Sequence, residues 1–204
     1  MATAKAATKV LADRLIVGES FLHDMARVAA ANLLLVLCAW IALPLPWTPV
    51  PVTGQTFGVL LVAVLLGARR GVIVMGLYLL EGLAGLPVFQ PFGLPGAARL
   101  AGPTAGYLLA YPAAAFATGW IAERPAARRA ALQLFSALLA GEGIIFLGGC
   151  AWLAAGMGLG WFRALAAGAV PFLPVELIKM ALVVLAVGGV ERGVRLPRDA
   201  RGRR

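Results

Sequence analysis

Four charged side chains stand inside long apolar runs of this chain: Glu81, Glu142, Glu176 and Lys179. A charge within a membrane span costs about 2.5–3.5 kcal/mol on insertion scales, so such residues usually face a protein interior and mark function. Glu176 and Lys179 lie three residues apart and share a helix face. There they can simply neutralise each other, or they can present a carboxylate and an ammonium side by side. The second arrangement complements a neutral polar group with both donors and an acceptor, such as an amide or a cyclic urea. Glu81 has no local countercharge, which leaves it protonated, paired with Arg99 or Lys179, or bound to a ligand donor. Glu142, within Ala140-Gly141-Glu142-Gly143, fits a pocket wall or, given its glycine neighbours, a close helix contact. Arg99 is a lone cation in a long loop, suited to clamp a carboxylate bidentately or to sit solvated.

Composition explains why these charges are conspicuous. The 204 residues are 61% hydrophobic and 13% charged, with a mean hydropathy of +0.89. A soluble domain is about half apolar and a quarter charged, so the chain reads as an integral membrane protein. The net charge of +9 is spread over loops and tail without interleaved aromatics. That distribution points to anionic lipid headgroups as partner and away from nucleic acid. Cys38 and Cys150 both lie in apolar runs and are expected to act as small hydrophobes, without a disulfide. The single histidine, His23, is remote from the intramembrane acids, and there is no Gly-rich phosphate loop. No metal site and no catalytic triad are expected.

The elements that carry the charges follow from the apolar runs, near 26 to 46, 56 to 67, 71 to 86, 103 to 122, 130 to 157 and 170 to 190. Fifteen of the eighteen Lys and Arg residues fall in every second gap: Lys5, Lys9, Arg14 and Arg27; Arg69 and Arg70; Arg124, Arg128 and Arg129; and six arginines from Arg192 to Arg204. Short cytoplasmic loops retain Lys and Arg. The spacing therefore predicts an all-α protein with six transmembrane helices and both termini cytoplasmic. Residues 1–25 read as a cytoplasmic segment, not a signal peptide, with an interfacial helix or a plain tail over 10 to 25. Residues 26–190 form the membrane domain and 191–204 a basic cytoplasmic tail.

Two stretches break helical periodicity on the outer side. The segment from Leu45 to Thr56 holds Pro46, Pro49 and Pro51, which exclude regular helix. The 56 to 67 run is shorter than the roughly 20 residues a bilayer core needs. Irregular backbone at membrane depth survives only where it is buried in protein or lines a cavity. With the Gly- and Pro-rich connection from Leu86 to Pro103, this predicts an outward-facing pocket capped by the loop between helices 1 and 2. The small-residue spacing of Ala26 and Ala30 on the first helix allows close helix approach, either within the bundle or to another subunit.

Four motifs give the pattern a family resemblance: Pro49-Val50-Pro51-Val52-Thr53-Gly54-Gln55-Thr56-Phe57, Gly82-Leu83-Ala84-Gly85-Leu86-Pro87-Val88-Phe89, Gly102-Pro103-Thr104-Ala105-Gly106-Tyr107-Leu108, and Pro171-Phe172-Leu173-Pro174-Val175-Glu176-Leu177-Ile178-Lys179. In this order, over about residues 25 to 190, the chain resembles the BioY family of biotin-specific substrate-capture (S) components of energy-coupling factor (ECF) transporters. The resemblance implies a prokaryotic plasma-membrane protein with no covalent chemistry and no cofactor of its own. It would hold biotin in an outward pocket and work with a transmembrane coupling protein and cytosolic ATPases that hydrolyse ATP. The family's acid-x-x-Lys motif maps to Glu176 and Lys179, a polar position of helix 3 to Glu81, and a basic loop position to Arg99. The same resemblance gives the loop bearing Thr53 and Gln55 as a lid and Tyr107 as a pocket wall; with a coupling protein as partner, the small-residue face of Ala26 and Ala30 is the expected docking motif. Two rival readings are an S component for another vitamin, and a lipid-modifying enzyme with Glu81, Glu142 and Glu176 as metal or proton-transfer carboxylates.

Overall fold

The computed structural model describes residues 21–124 and 130–201, with side chains from 21 to 124 and from 131 to 189. The expected surface helix over 10 to 25 therefore lies almost wholly outside the described residues, as do the side chains of the basic tail. Among the described residues six α-helices follow one another: α1 Phe21–Trp40, α2 Gln55–Leu83, α3 Ala105–Ala122, α4 Ala130–Ala151, α5 Trp161–Gly168 and α6 Leu173–Arg201. A two-residue antiparallel ribbon, β1 Ala42–Leu43 with β2 Val52–Thr53, closes the proline-rich segment between α1 and α2.

Helix α2 is two limbs. Gly67 has φ 81° and ψ 178°, a conformation essentially reserved for glycine, and the chain reverses there. A Cβ on Gly71 would lie 3.5 Å from the Cα of Ala63, and the Gln55 side chain hydrogen-bonds the Tyr78 hydroxyl at 2.6 Å. In a straight helix, residues 23 apart would be about 34 Å apart. The limbs 55–66 and 68–83 thus run antiparallel and correspond to the second and third apolar runs. Glu123, just beyond α3, accepts the Ala68 N–H at 3.2 Å and so satisfies a donor left open at the start of the second limb.

By length and composition, four helical stretches among the described residues can cross a membrane: Phe21–Trp40, Gln55–Leu83, Ala131–Gly156 and Trp161–Gly189. Counted by length, α2 scores once although it doubles back. Helix α3 is only 18 residues long and includes Tyr107, Tyr111 and Pro112. Large apolar side chains stand on the surface as well as inside: Leu33, Leu37, Leu80, Phe116, Leu147 and Leu185 are exposed, while Leu35, Leu60, Tyr78, Leu138 and Ile145 are fully buried. A helix apolar on all sides belongs in lipid or a deep core, so the chain is a multi-pass membrane protein.

Small residues set how closely the helices approach. A Cβ on Gly106 would strike the Gly148 carbonyl and Trp152, and one on Gly119 would strike the backbone of Gly67 and Ala68. These contacts hold α3 against α4 and against the turn of α2, where close backbone approach replaces the missing hydrophobic drive. Cys38 and Cys150 are buried free thiols. Arg70 reaches Asp24 at 3.0 Å, and Asp24 also pairs with Arg27 at 2.7 Å. The start of α1, the Gly67 turn and the end of α3 therefore share one basic end of the bundle. The proline-rich segments gather at the other.

Candidate functional site

The polar centre of the loop end is built on the first turns of α6. Pro171 and Pro174 fit the entry to this helix, because their missing N–H groups fall where a helix leaves donors unpaired. Glu176 then sits in its first turn, where the helix dipole favours a carboxylate. Lys179 donates to Glu176 Oε1 at 2.6 Å, to Thr56 Oγ1 at 2.9 Å and to the Thr53 carbonyl at 2.6 Å. Thr56 in turn donates to Glu176 Oε2 at 2.7 Å. An ammonium has three donors, and here all three are engaged. The buried pair is closed on itself and also ties the ribbon strand β2 to α6.

That ribbon forms a lid fastened on several sides. Thr53 donates to Gln55 Oε1 at 3.2 Å, the Gln55 amide donates to the Tyr78 hydroxyl, and Tyr78 donates to the Val88 carbonyl at 3.1 Å. The lid is thereby linked through the second limb of α2 to the 86–103 loop. Thr48 donates to the Ala167 carbonyl at 2.6 Å, which anchors the proline-rich stretch on α5. Trp40 donates to the Pro87 carbonyl at 2.9 Å. Removing the Tyr78 hydroxyl leaves a Gln55 donor and the Val88 carbonyl without partners in a dry region. Tyr78→Phe is expected to lower stability by about 1–3 kcal/mol, read as a fall in the unfolding midpoint of the detergent-solubilised protein; an unchanged midpoint would show the chain Thr53–Gln55–Tyr78 carries no stability.

Two cavities lie beneath and beside the lid. The inner one, about 40 Å³, is walled by Thr53, Gln55, Thr56, Tyr107, Tyr111, Glu142, Phe172 and Glu176. The outer one, about 220 Å³, lies between the two proline-rich segments and is walled by Thr48, Pro49, Gln90, Phe92 and Arg99. Pro51 and Thr104 line both, so a single constriction separates them. Small-molecule sites occupy roughly 300–1,000 Å³. Neither space alone reaches that size, and Pro51 and Thr104 stand between them.

Thr53, Gln55, Tyr107 and Glu176 come together on the inner cavity, with Lys179 immediately behind Thr53 and Thr56. The Tyr107 hydroxyl is spent on the Gly168 carbonyl at 2.6 Å, so its ring is what faces inward. Arg99 stands apart on the outer cavity. It is buried, donates to the Phe92 carbonyl and, at 2.9 Å, to the Gln90 carbonyl, and its Nε has no hydrogen-bond partner. Burial pushes its pKa below the ordinary guanidinium value. Glu81 lines neither cavity and meets neither Arg99 nor Lys179. Its two oxygens accept from the Asn32 amide of α1 at 2.8 and 2.7 Å, so of the alternatives open to Glu81 the pairing with Arg99 or Lys179 is not formed. Helix rotation decides this: Glu81 projects toward α1, and the three carboxylates do not cluster. Ala26 and Ala30 are exposed on α1.

Residues that sequence reasoning passed over complete the site. Thr56 bridges both members of the ion pair, and its signal was its place at the lid end of a quoted motif. Tyr78 was legible as a phenol inside an apolar run, which needs a partner when buried. Asn32 was legible as an amide in the first run, and Tyr111 as a second tyrosine one helical turn from Tyr107.

The sequence model of the BioY family matches residues 5–196. The chain is 37% identical over 147 residues to the biotin transporter BioY of Rhizobium etli, covering 69% of this chain and 78% of that one. It is 34% identical over 169 residues to the biotin transporter BioY of Thermotoga maritima, covering 80% and 93%. Its structure resembles the crystal structure of the S-component for biotin from an ECF-type ABC transporter, with a TM-score of 0.77 at 25% identity, over 87% of this chain and 95% of that one.

Proposed function

This chain belongs to the BioY family, and from that membership we propose that it captures biotin for uptake as the substrate-binding S component of an energy-coupling factor transporter. The observation that carries the reading is a buried carboxylate–ammonium pair, Glu176 and Lys179, directly under a hydrogen-bonded lid and beside aromatic walls. Biotin has a cyclic urea with two N–H donors and one carbonyl, an apolar bicycle, and a flexible chain ending in a carboxylate. The urea suits the inner cavity, the bicycle suits Tyr107, Tyr111 and Phe172, and the chain passes the constriction at Pro51 and Thr104. Its carboxylate then meets the guanidinium of Arg99 on the wall of the outer cavity.

In this reading the protein carries no cofactor and performs no bond chemistry, in keeping with relatives that are named transporters. Six crossings result from α1, the two limbs of α2, α3, α4 and α6. The basic end is cytoplasmic, which directs the lid outward from a prokaryotic plasma membrane, and anionic lipid headgroups meet the arginines at that end. The transmembrane coupling protein docks on the exposed Ala26 and Ala30 face of α1, and its ATPases supply the energy.

The test is equilibrium binding of biotin to the purified protein, which is expected to saturate at one ligand per chain. Arg99→Ala is expected to weaken biotin by about tenfold or more, the value of a charge-assisted hydrogen bond, while leaving the neutral biotinamide within twofold. No saturable binding by the parent would defeat the reading, and equal losses for acid and amide would remove Arg99 from the carboxylate. Displacement of biotin by a different vitamin at lower concentration would transfer the site to that vitamin.

A further inference from the structure

Glu142 brings an unpartnered carboxyl group to the wall of the inner cavity. Its side chain is 3% exposed and forms part of the cavity wall, yet neither carboxylate oxygen has a hydrogen-bond partner. The neighbouring ion pair cannot supply one. Both Glu176 oxygens are taken, by Lys179 and Thr56, and the three Lys179 donors are all engaged. A carboxylate stripped of water and donors is among the most unfavourable groups to bury. If Glu142 served only to pack α4, an apolar residue of its size would do so without that penalty. The helix contact at this level belongs instead to Gly141, whose missing Cβ makes room for Thr118 of α3. Gly143 has open space around it.

We propose that Glu142 is a ligand-contacting residue that accepts a hydrogen bond from one N–H of the cyclic urea, across the cavity from Glu176. The assignment rests on the biotin reading above and specifies which edge of the ring α4 recognises. A cyclic urea carries its two N–H groups on opposite sides of the carbonyl. A site that reads both needs an acceptor on each side; α4 and α6 present Glu142 and Glu176 to one cavity, and each Glu176 oxygen keeps a second lone pair beyond the bond it already accepts. Glu142→Gln replaces an ionic acceptor by a neutral one with almost no change in shape, so the hydrogen bond to the urea N–H loses its charge assistance.

The experiment compares Glu142→Gln with the parent for biotin and for the two biotin derivatives methylated singly on one or the other urea nitrogen. The variant is expected to bind biotin at least tenfold more weakly at an unchanged unfolding midpoint. For one methyl isomer, which has lost the N–H in question, the variant and parent are expected to agree within about twofold. Equal biotin affinity in variant and parent overturns the assignment, and so does a loss of the same size for biotin and for both isomers. Should the variant not fold, the parent alone decides: binding of both methyl isomers as tightly as biotin overturns the contact, and selective rejection of one supports it. A parent that binds no biotin would overturn the functional reading and this assignment together, whereas a parent that binds with an indifferent Glu142→Gln overturns the assignment alone.

Discussion

Lys179→Met is expected to weaken biotin binding by at least about 100-fold and to destabilise the protein at the same time. The two effects have one cause. Lys179 is the partner of a buried carboxylate and the anchor of the lid carbonyl of Thr53, at 2.6 Å in each case. Removing one member of a buried ion pair costs about 3–5 kcal/mol, chiefly because the other charge is left uncompensated, and about 1.4 kcal/mol corresponds to a factor of ten in affinity. Replacing both members by apolar residues of similar volume is often tolerated. The double variant Glu176→Met, Lys179→Met is therefore expected to regain most of the lost unfolding midpoint without regaining biotin affinity. That divergence separates a binding role from a merely structural one. A single variant that binds within threefold of the parent, or a double variant that recovers both properties, would show that the pair only neutralises itself.

How much of this was legible beforehand depends on which forces act within one helix and which act between helices. Lipid cannot satisfy a free backbone, so the lengths of the apolar runs and the break at Pro46, Pro49 and Pro51 had to appear as helices and an irregular cap. The i, i+3 spacing of Glu176 and Lys179 fixed their common face for the same local reason. Glu81 shows the limit. Its place inside an apolar run was plain, but its direction depended on how the second limb of α2 is rotated against α1, and Asn32 claimed it. Lys179 was expected to offer a donor to the ligand. Thr56 and the Thr53 carbonyl take those donors, a result of how the lid folds back over α6 that no single segment encodes. Helix α5 went unseen between the apolar runs that end at 157 and begin at 170 because its eight residues fall far short of the roughly 20 a bilayer core needs. It is held by tertiary contacts, with Ala164 and Gly168 buried and Phe162 exposed.

Gly67→Val is the counterpart test for the fold, with an expected loss of about 3 kcal/mol. The turn between the limbs of α2 requires φ 81° and ψ 178°, and forcing an L-residue into such a conformation costs on the order of 1–3 kcal/mol, with a β-branched side chain at the upper end. The surroundings leave no route of relief. Gly119 of α3 packs on the backbone of Gly67 and Ala68 so closely that even a methyl group there would collide, and Glu123 holds the Ala68 N–H. A chain that could not reverse at Gly67 would continue as one helix, carrying Tyr78 away from Gln55 and Arg70 away from Asp24. The lid and the basic end would be lost together. The expected result is a lower unfolding midpoint with biotin binding retained in the fraction that folds, since Gly67 lies at the opposite end of the bundle from the cavity. A cysteine placed at Arg70 is expected to react with impermeant thiol reagents only from the cytoplasmic face, and one at Gly93 only from outside. Labelling of both from one side would contradict the reversal, and a Gly67→Val protein as stable as the parent would show that the turn stores no conformational demand.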